Sequence, residues 1–205
     1  MPRRALKVLA FNCSLKSANG REKSSTDVLL KQLLLDALEH HGAKDEVIRA
    51  VEHNIKPGVQ SDEGEGDAWL MLRKRVLDAD ILVIGTPIWL GQPSSVAKRV
   101  PERMDAFLDE TDAKGRMPSY GKVALAVIVG NEDGAHHTAT ELFQALLEVG
   151  FTTGGVTYWV GEAMGNKDYK DLLKTPKAVA EWTPLLASNA AHLARLLKQK
   201  RYPGV

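Results

Sequence analysis

Short apolar runs bounded by polar turns recur along the chain and alternate with stretches of helical periodicity. The clearest runs are DILVIG at 80–85 and VALAVIV at 123–129, and LKVLAF at 6–11 precedes them. These runs are continuously apolar, which is the pattern of strands buried on both faces of a parallel sheet. Weaker strands are predicted at 46–51 and 155–160. This alternation constrains the fold most, because parallel strands joined through helices build a sheet covered on both sides.

Helical stretches separate or follow the predicted strands at 27–41, 68–77, 96–108, 139–149 and 175–200. Gly42 and Gly150 follow two of them, in the position where a left-handed residue commonly ends a helix. Ser94 or Ser95 is expected to cap the helix at 96–108. Pro101 lies inside that helix, so we expect a kink or a restart there, because an interior proline loses a backbone donor. With no linker in view, residues 1–205 are expected to form a single domain.

Composition excludes several other classes of protein. The 27 lysines and arginines almost balance the 26 aspartates and glutamates, so the net charge of +1 gives no sign of a nucleic-acid binder. Cys13 is the only cysteine, which excludes an internal disulfide and any iron–sulfur or zinc site built from several cysteines. The apolar stretch near Met1 is too short for a secretory signal or a membrane span. We therefore expect a cytoplasmic protein with no membrane span.

The loop after the first predicted strand, NCSLKSANGREKSST at 12–26, is rich in hydroxyl groups. It contains neither the glycine pattern of dinucleotide-binding folds nor that of the nucleoside triphosphatases. Its hydroxyls, the N–H groups at the start of the next helix and the Lys16 charge could together bind a phosphate. The alternative is that Ser25 or Thr26 caps the helix and the rest is solvated loop. The candidate phosphate ligands are Ser14, Lys16, Ser24, Ser25 and Thr26.

The second polar stretch, TPIWLGQPSS at 86–95, directly follows the strand at 80–85. A turn restrained by proline that carries Ile88, Trp89 and Leu90 can form a wall for a flat aromatic ligand. The alternative is a hydrophobic turn that packs on a neighbouring subunit, and the two uses are compatible.

The third stretch, GNEDGAHH at 130–137, follows the strand at 123–129. Its glycines let the backbone approach a ligand closely, and His136 or His137 could donate a hydrogen bond or place positive charge near a reduced ring system. A paired histidine at a helix start could also be capping or surface. A metal site is not expected, because adjacent helical residues diverge and no HxxxH or HExxH partner follows.

Together, these three loops resemble those of the flavodoxin-like NADPH-dependent FMN reductases and NAD(P)H:quinone reductases. The first loop is similar to that group's S-x-[RK] motif and following polar pair at Ser14, Lys16, Ser25 and Thr26. Residues 86–91 are similar to the TP-[IV]-[YW]-x-[GS] motif, and GNEDGAHH with the later Gly150 and Phe151 resembles the FMN reductases of this group. Lys16 stands where arginine is commoner, which exchanges a bidentate fork for a point charge.

The resemblance implies a flavodoxin-like, doubly wound sheet of five parallel strands in three α/β/α layers, with FMN as cofactor. The first loop would hold the FMN phosphate, the second the dimethylbenzene side and one ring face, and the third the pyrimidine edge. His136 and His137 are candidates for tuning the flavin. The implied cofactor-binding residues are Ser14, Lys16, Ser24, Ser25, Thr26, Thr86, Pro87, Ile88, Trp89, Leu90, Gly91, Gly130, Asn131, Glu132, Asp133, Gly134 and His136.

The implied activity is an oxidoreductase that passes electrons from NADPH or NADH through FMN to a small acceptor, a quinone or a flavin. The alternative is an FMN-bound electron carrier or a flavin-dependent interaction module without fast nicotinamide turnover, although carrier flavodoxins tend to be strongly acidic. A homodimer or homotetramer is expected, because members of this group pair through the faces that carry the flavin loops. Trp159 could cover the cofactor pocket or pack in the core.

Overall fold

The strands form one sheet in a computed structural model that describes residues 5–20, 23–164 and 167–205. Five strands run parallel in the order β2-β1-β3-β5-β6, and a two-residue strand, β4, pairs antiparallel with β3. The strand bounds are β1 Leu6–Asn12, β2 Ala43–Arg49, β3 Ile81–Trp89, β4 Gln92–Pro93, β5 Val123–Gly130 and β6 Thr152–Val160.

Helices connect the parallel strands in every crossover. The helical bounds are α1 Ser25–Leu29, a π-helical segment Leu30–Leu35, α2 Asp36–Glu39, α3 Trp69–Asp78, α4 Ser95–Glu102, α5 Ala135–Glu148, α6 Gly161–Met164 and α7 Lys177–Gln199. Short three-ten turns lie at Ala50–Glu52, Asp105–Leu108 and Tyr169–Asp171. Within the described residues, no helix combines the length and the hydrophobicity that a membrane crossing needs.

The core lies on both faces of the sheet, because successive side chains of a strand point to opposite sides. On β1, Leu9 and Phe11 pack toward α3, α4 and α5. Val8 and Ala10 pack on the other face of the sheet, toward α1, α2 and α7. The central strands β3 and β5 are buried along almost their whole length. Their continuous apolar sequence follows from that two-sided burial.

The strand order confirms the predicted doubly wound, flavodoxin-like fold. From β1 the chain first adds β2 on one side and then crosses to add β3 on the other, so the connections diverge between β1 and β3. In sheets of this kind a ligand binds beyond the carboxyl ends of the strands at that point of divergence. The first two polar loops leave the sheet there, and the third leaves the neighbouring strand β5.

Several boundaries differ from the predicted ones for local reasons. A kink or a restart was expected at Pro101. Pro101 lies inside α4, which ends one residue later at Glu102, and the chain restarts as a three-ten turn at Asp105. Ser94, not Ser95, caps α4, because its Oγ accepts a hydrogen bond from the N–H of Ala97 at 3.1 Å. Strand β3 runs on to Trp89, since the expected turn is a hairpin that adds β4.

Candidate functional site

A cavity of about 420 Å³ opens at the carboxyl ends of β1, β3 and β5. All three polar loops contribute to its wall, as expected for loops that leave neighbouring parallel strands at one edge. The residues that line it are Ser14, Leu15, Lys16, Ser24, Ser25, Thr26, Pro87, Ile88, Trp89, Leu90, Val129, Gly130, Asn131, Glu132, Asp168 and Tyr169.

The first loop turns tightly as it leaves β1. Asn12 is fully buried, and its Oδ1 accepts a hydrogen bond from the N–H of Ser14 at 3.0 Å. The Oγ of Ser14 in turn accepts one from the N–H of Lys16 at 3.2 Å. These two side-chain-to-backbone bonds fold the loop back on itself, so that Ser14 and Lys16 both face the cavity.

An ion-pair network holds the same loop against the end of β2. The Arg49 guanidinium donates to the Lys16 carbonyl at 2.9 Å and lies 3.1 Å from Oδ1 of Asp27. The Nδ2 of Asn12 donates to that same oxygen at 3.1 Å. Asn12 and Arg49 were not predicted as supports of the loop, because nothing in the sequence pattern pairs residues that far apart.

The three hydroxyl-bearing residues at the start of α1 have different roles. Ser24 caps the helix, since its Oγ accepts from the N–H of Asp27 at 3.3 Å. The alternative interpretation, which made Ser25 or Thr26 the cap, is therefore wrong about the residue. The Oγ of Ser25 accepts from the N–H of Lys170 at 3.2 Å, and Thr26 is buried. All three still line the cavity.

The second loop is a hairpin that projects apolar side chains at the mouth of the cavity. Leu90 and Gly91 form its tip with positive φ angles of 53° and 75°, as a two-residue hairpin turn requires. Ile88 is buried, whereas Trp89 is half exposed and Leu90 is 90% exposed. Thr86 does not line the cavity: its hydroxyl donates to the Pro87 carbonyl at 2.9 Å and accepts from the N–H of Ser94 at 3.0 Å.

The third loop packs directly on the second. A Cβ atom at Gly130 would lie 2.8 Å from Ile88, so only glycine permits this approach. Asn131 and Glu132 line the cavity, but Gly91, Asp133 and Gly134 do not. The carboxylate of Asp133 instead accepts a hydrogen bond from the N–H of Gly134 at 2.7 Å.

The two histidines lie on the exposed side of α5 and outside the cavity wall. His136 Nε2 is 3.2 Å from the Tyr158 hydroxyl, and the two rings meet edge to face. His137 Nε2 lies 2.8 Å from Glu141 and 2.9 Å from Gln92 Nε2. Their role in tuning a flavin stays a prediction.

Four residues of the wall were not predicted: Leu15, Val129, Asp168 and Tyr169. Leu15 and Val129 lie inside or beside predicted loops. Tyr169 is buried, and this burial raises its pKa to about 12 although a hydrogen bond with Thr175 opposes the shift. Trp159 is buried in the core and packs edge to face on Tyr169, so its core-packing alternative describes its place.

The wall has the chemistry that a flavin mononucleotide needs. The wall carries the hydroxyls of Ser14, Ser24 and Ser25 with Lys16, a donor set suited to a phosphate. It also carries Trp89 and Leu90, which suit the face of a ring system. The volume lies within the range of about 300–1,000 Å³ that is usual for cofactor sites. The residues present therefore fit FMN.

The fold is that of a flavodoxin-like α/β protein, and its cavity lies at the carboxyl edge of the sheet. The family model described as NADPH-dependent FMN reductase matches residues 6–165. The chain therefore belongs to the NADPH-dependent FMN reductase family, whose members are oxidoreductases associated with flavins.

Two curated proteins show related sequences. The 8-demethyl-8-aminoriboflavin-5'-phosphate synthase of Streptomyces davaonensis is 30% identical over 97% of this chain and 80% of its own length. A Mycobacterium bovis protein named divalent metal cation transporter MntH is 38% identical over 81% of this chain. This chain spans only 25% of that second protein.

Solved structures show the same fold. The crystal structure of RosB with 8-demethyl-8-formylriboflavin-5'-phosphate bound has a TM-score of 0.80 and is 29% identical, over 97% of this chain and 82% of that one. The apo form of the NADH:FMN oxidoreductase EMOB has a TM-score of 0.64 at 16% identity, over 94% of this chain and 90% of that one.

Proposed function

We propose that the protein binds FMN in this cavity and works as an oxidoreductase that takes electrons from NADPH or NADH and delivers them to a quinone or a flavin. The observation that carries the proposal is one cavity whose wall combines hydroxyl groups and a lysine with aromatic and apolar side chains, in a chain of the NADPH-dependent FMN reductase family. Bound FMN supplies the redox chemistry, namely acceptance of a hydride and release of electrons.

The chain's own residues would bind the FMN and orient it. Ser14, Lys16, Ser24, Ser25 and Thr26 would hold the phosphate, with Arg49 and Asp27 keeping the loop in place. Pro87, Ile88, Trp89 and Leu90 would form a wall for the ring, and Gly130, Asn131 and Glu132 its edge contact. These roles require no general acid or base among the side chains.

The test is the initial rate of NADPH and of NADH oxidation with a quinone or free FMN as acceptor. We expect turnover with at least one donor, and a loss of FMN binding of at least about tenfold in a Ser14→Ala/Lys16→Ala double variant. The matched control is Ser17→Ala/Lys23→Ala, which changes the same residue types at exposed positions of the same loop. FMN retention without turnover by either donor would favour an electron carrier.

A second candidate is that FMN is the substrate and is modified at ring position 8. It is favoured by the 30% identity, over 97% of this chain, to an 8-demethyl-8-aminoriboflavin-5'-phosphate synthase. Mass spectrometry of the flavin recovered after incubation with a nitrogen donor and dioxygen separates the two candidates. Unchanged FMN together with nicotinamide oxidation supports the first, and a changed mass supports the second.

We also propose that the protein is a cytoplasmic homodimer or homotetramer that pairs through the cavity face. Leu15, Trp89 and Leu90 are exposed apolar side chains at the cavity mouth, and a patch of this kind favours association. Light scattering after size-exclusion chromatography gives the assembly, and a monomer at micromolar concentration would contradict it.

A further inference from the structure

The stretch 167–170 forms part of the cavity wall, although it lies beyond the residues that the family model matches. That match ends at residue 165, whereas Asp168 and Tyr169 line the cavity. Neither belongs to any of the three polar loops. This part of the wall is therefore contributed by residues outside the family match.

The short stretch 167–170 is anchored at one end to β6 and α6 and at the other end to the first loop. At one end, the Lys167 carbonyl accepts from Trp159 Nε1 at 3.1 Å, and it lies so close to Gly161 that a Cβ there would stand 2.8 Å from it. The residue after Gly161 donates its N–H to the Asn131 carbonyl of the third loop at 2.8 Å. At the other end, the N–H of Lys170 donates to Ser25 in the first loop.

Asp168 lies in the chain between these two contacts, and it lines the cavity. Its carboxylate is partly buried, and Lys170 Nζ lies 3.4 Å from Oδ2. Buried Tyr169, packed on Trp159, fixes the backbone beside it. The side chain is therefore held at the wall.

The chemistry of a carboxylate limits which part of FMN it can contact. An ionised carboxylate accepts hydrogen bonds and donates none, and it repels a phosphate. The part of FMN between its phosphate and its ring is a chain of hydroxyl groups, each of which can donate a hydrogen bond. A charged acceptor on the cavity wall matches that chain.

Resting on the proposed FMN site, we propose that Asp168 is a specificity-determining residue that accepts hydrogen bonds from the hydroxylated chain of the flavin. The ligand class is a flavin with a polyhydroxylated side chain. Lys170 acts as a positioning residue that holds the carboxylate.

The experiment measures dissociation constants for three probes by quenching of flavin fluorescence. The probes are FMN, riboflavin, which lacks the phosphate, and lumiflavin, which carries a methyl group in place of the hydroxylated chain. We expect Asp168→Ala to weaken FMN and riboflavin alike, by about tenfold, and to leave lumiflavin within about twofold. Asp168→Asn keeps one acceptor oxygen and should fall between Asp168→Ala and the unmodified protein.

Two further variants serve as controls for the role of Asp168. Asp171→Ala removes the same charge from an exposed position in the three-ten turn that directly follows Asp168, and it should change none of the three constants. The Ser14→Ala/Lys16→Ala variant should instead reduce the preference for FMN over riboflavin. Equal weakening of lumiflavin by Asp168→Ala, or no weakening of any probe, overturns the inference while leaving the FMN site standing. A wild-type protein that binds none of the probes overturns both.

Discussion

Leu90 combines an unusual backbone conformation with a highly exposed apolar side chain. Among the described residues it is the only non-glycine with a positive φ, at 53°, and its side chain is 90% exposed. The left-handed conformation costs a residue with a Cβ about 1–2 kcal/mol. An apolar side chain in a strained conformation at the mouth of a cavity is the pattern expected where function outweighs stability.

Leu90→Asn should therefore stabilise the protein. Asparagine tolerates the left-handed region better, so we expect the free energy of unfolding to rise by about 0.5–1 kcal/mol. Urea denaturation measures it. Leu15→Asn is the control, since Leu15 is also an exposed leucine of the cavity wall but has no positive φ. A gain of equal size in both variants would mean that lost surface hydrophobicity, not backbone strain, is responsible.

At the scale of elements, the second and third loops fit together at two glycines. Gly134 has a φ of 127°, and a Cβ there would lie 2.9 Å from Cα and the carbonyl oxygen of Gly91. The start of α5 is thereby seated on the tip of the hairpin that forms one wall of the cavity.

Gly134→Ala should separate these loops. The new methyl group would add a backbone clash to the conformational strain, so we expect a loss of about 2–3 kcal/mol in the free energy of unfolding and weaker FMN binding. Gly64→Ala is matched to it, because Gly64 has a φ of 82° and no atom lies within 4 Å of the place that its methyl group would take. It should cost about 1 kcal/mol and leave FMN binding unchanged. Equal effects of the two substitutions would contradict the loop contact.

A buried ion pair joins the long connection before α3 to the end of α4. The Arg103 side chain is fully buried and donates to Asp67 at 2.7 Å, to the Lys56 carbonyl at 2.9 Å and to the Gln60 carbonyl at 2.8 Å. Burial alone would raise the pKa of Asp67, but hydrogen bonds from Arg103 and from the Glu63, Trp69 and Lys56 N–H groups outweigh it and lower the pKa to about 2.

This lowered pKa predicts a loss of stability in acid. Because Asp67 is more acidic in the folded than in the unfolded chain, its contribution is present above about pH 4 and is lost as the pH falls toward 2. The loss should be about 2 kcal/mol. Asp67→Asn should lower the free energy of unfolding by about 3 kcal/mol at pH 7, since it strands a buried charge, and should flatten the pH dependence between 4 and 2. Denaturation curves across that range test it.

Asp112→Asn is the control for this pair. Asp112 also binds an arginine, Arg116, through its carboxylate, but there the two side chains are 44% and 25% exposed. Exposed pairs contribute little to stability, so this variant should stay close to the unmodified protein at pH 7. A drop as large as that of Asp67→Asn would show that burial is not the cause.

For the whole molecule, the strands and loops that could be predicted are those that a short stretch of sequence identifies. The apolar runs at 80–85 and 123–129 identify strands, because two-sided burial removes polar residues from them. The polar loops that follow were predicted to meet, and the cavity brings twelve of their candidate residues together. Asp168 could not be found in this way. Its segment meets the first loop through a Ser25–Lys170 bond that spans 145 positions, and no periodicity or motif marks such a contact.

Binding in the cavity should stabilise the entire fold, because the wall is built from loops after three strands and from the segment before α7. At an FMN concentration of about 100 times its dissociation constant, the free energy of unfolding should rise by about 2.7 kcal/mol. The melting temperature should rise by roughly 5–10 °C. Riboflavin at the same concentration should give a smaller rise, because it lacks the phosphate that the first loop would hold. Equal shifts for both would place the phosphate outside the cavity.

FMN binding in the cavity is tested directly by the flavin content of the protein after FMN is added and the unbound excess is removed by gel filtration. Absorbance near ~450 nm reports bound flavin, and protein concentration gives the ratio. The cavity predicts one FMN per chain, with most of it lost in the Ser14→Ala/Lys16→Ala variant and retained in the Ser17→Ala/Lys23→Ala control. A wild-type protein that elutes colourless would show that the cavity does not bind FMN.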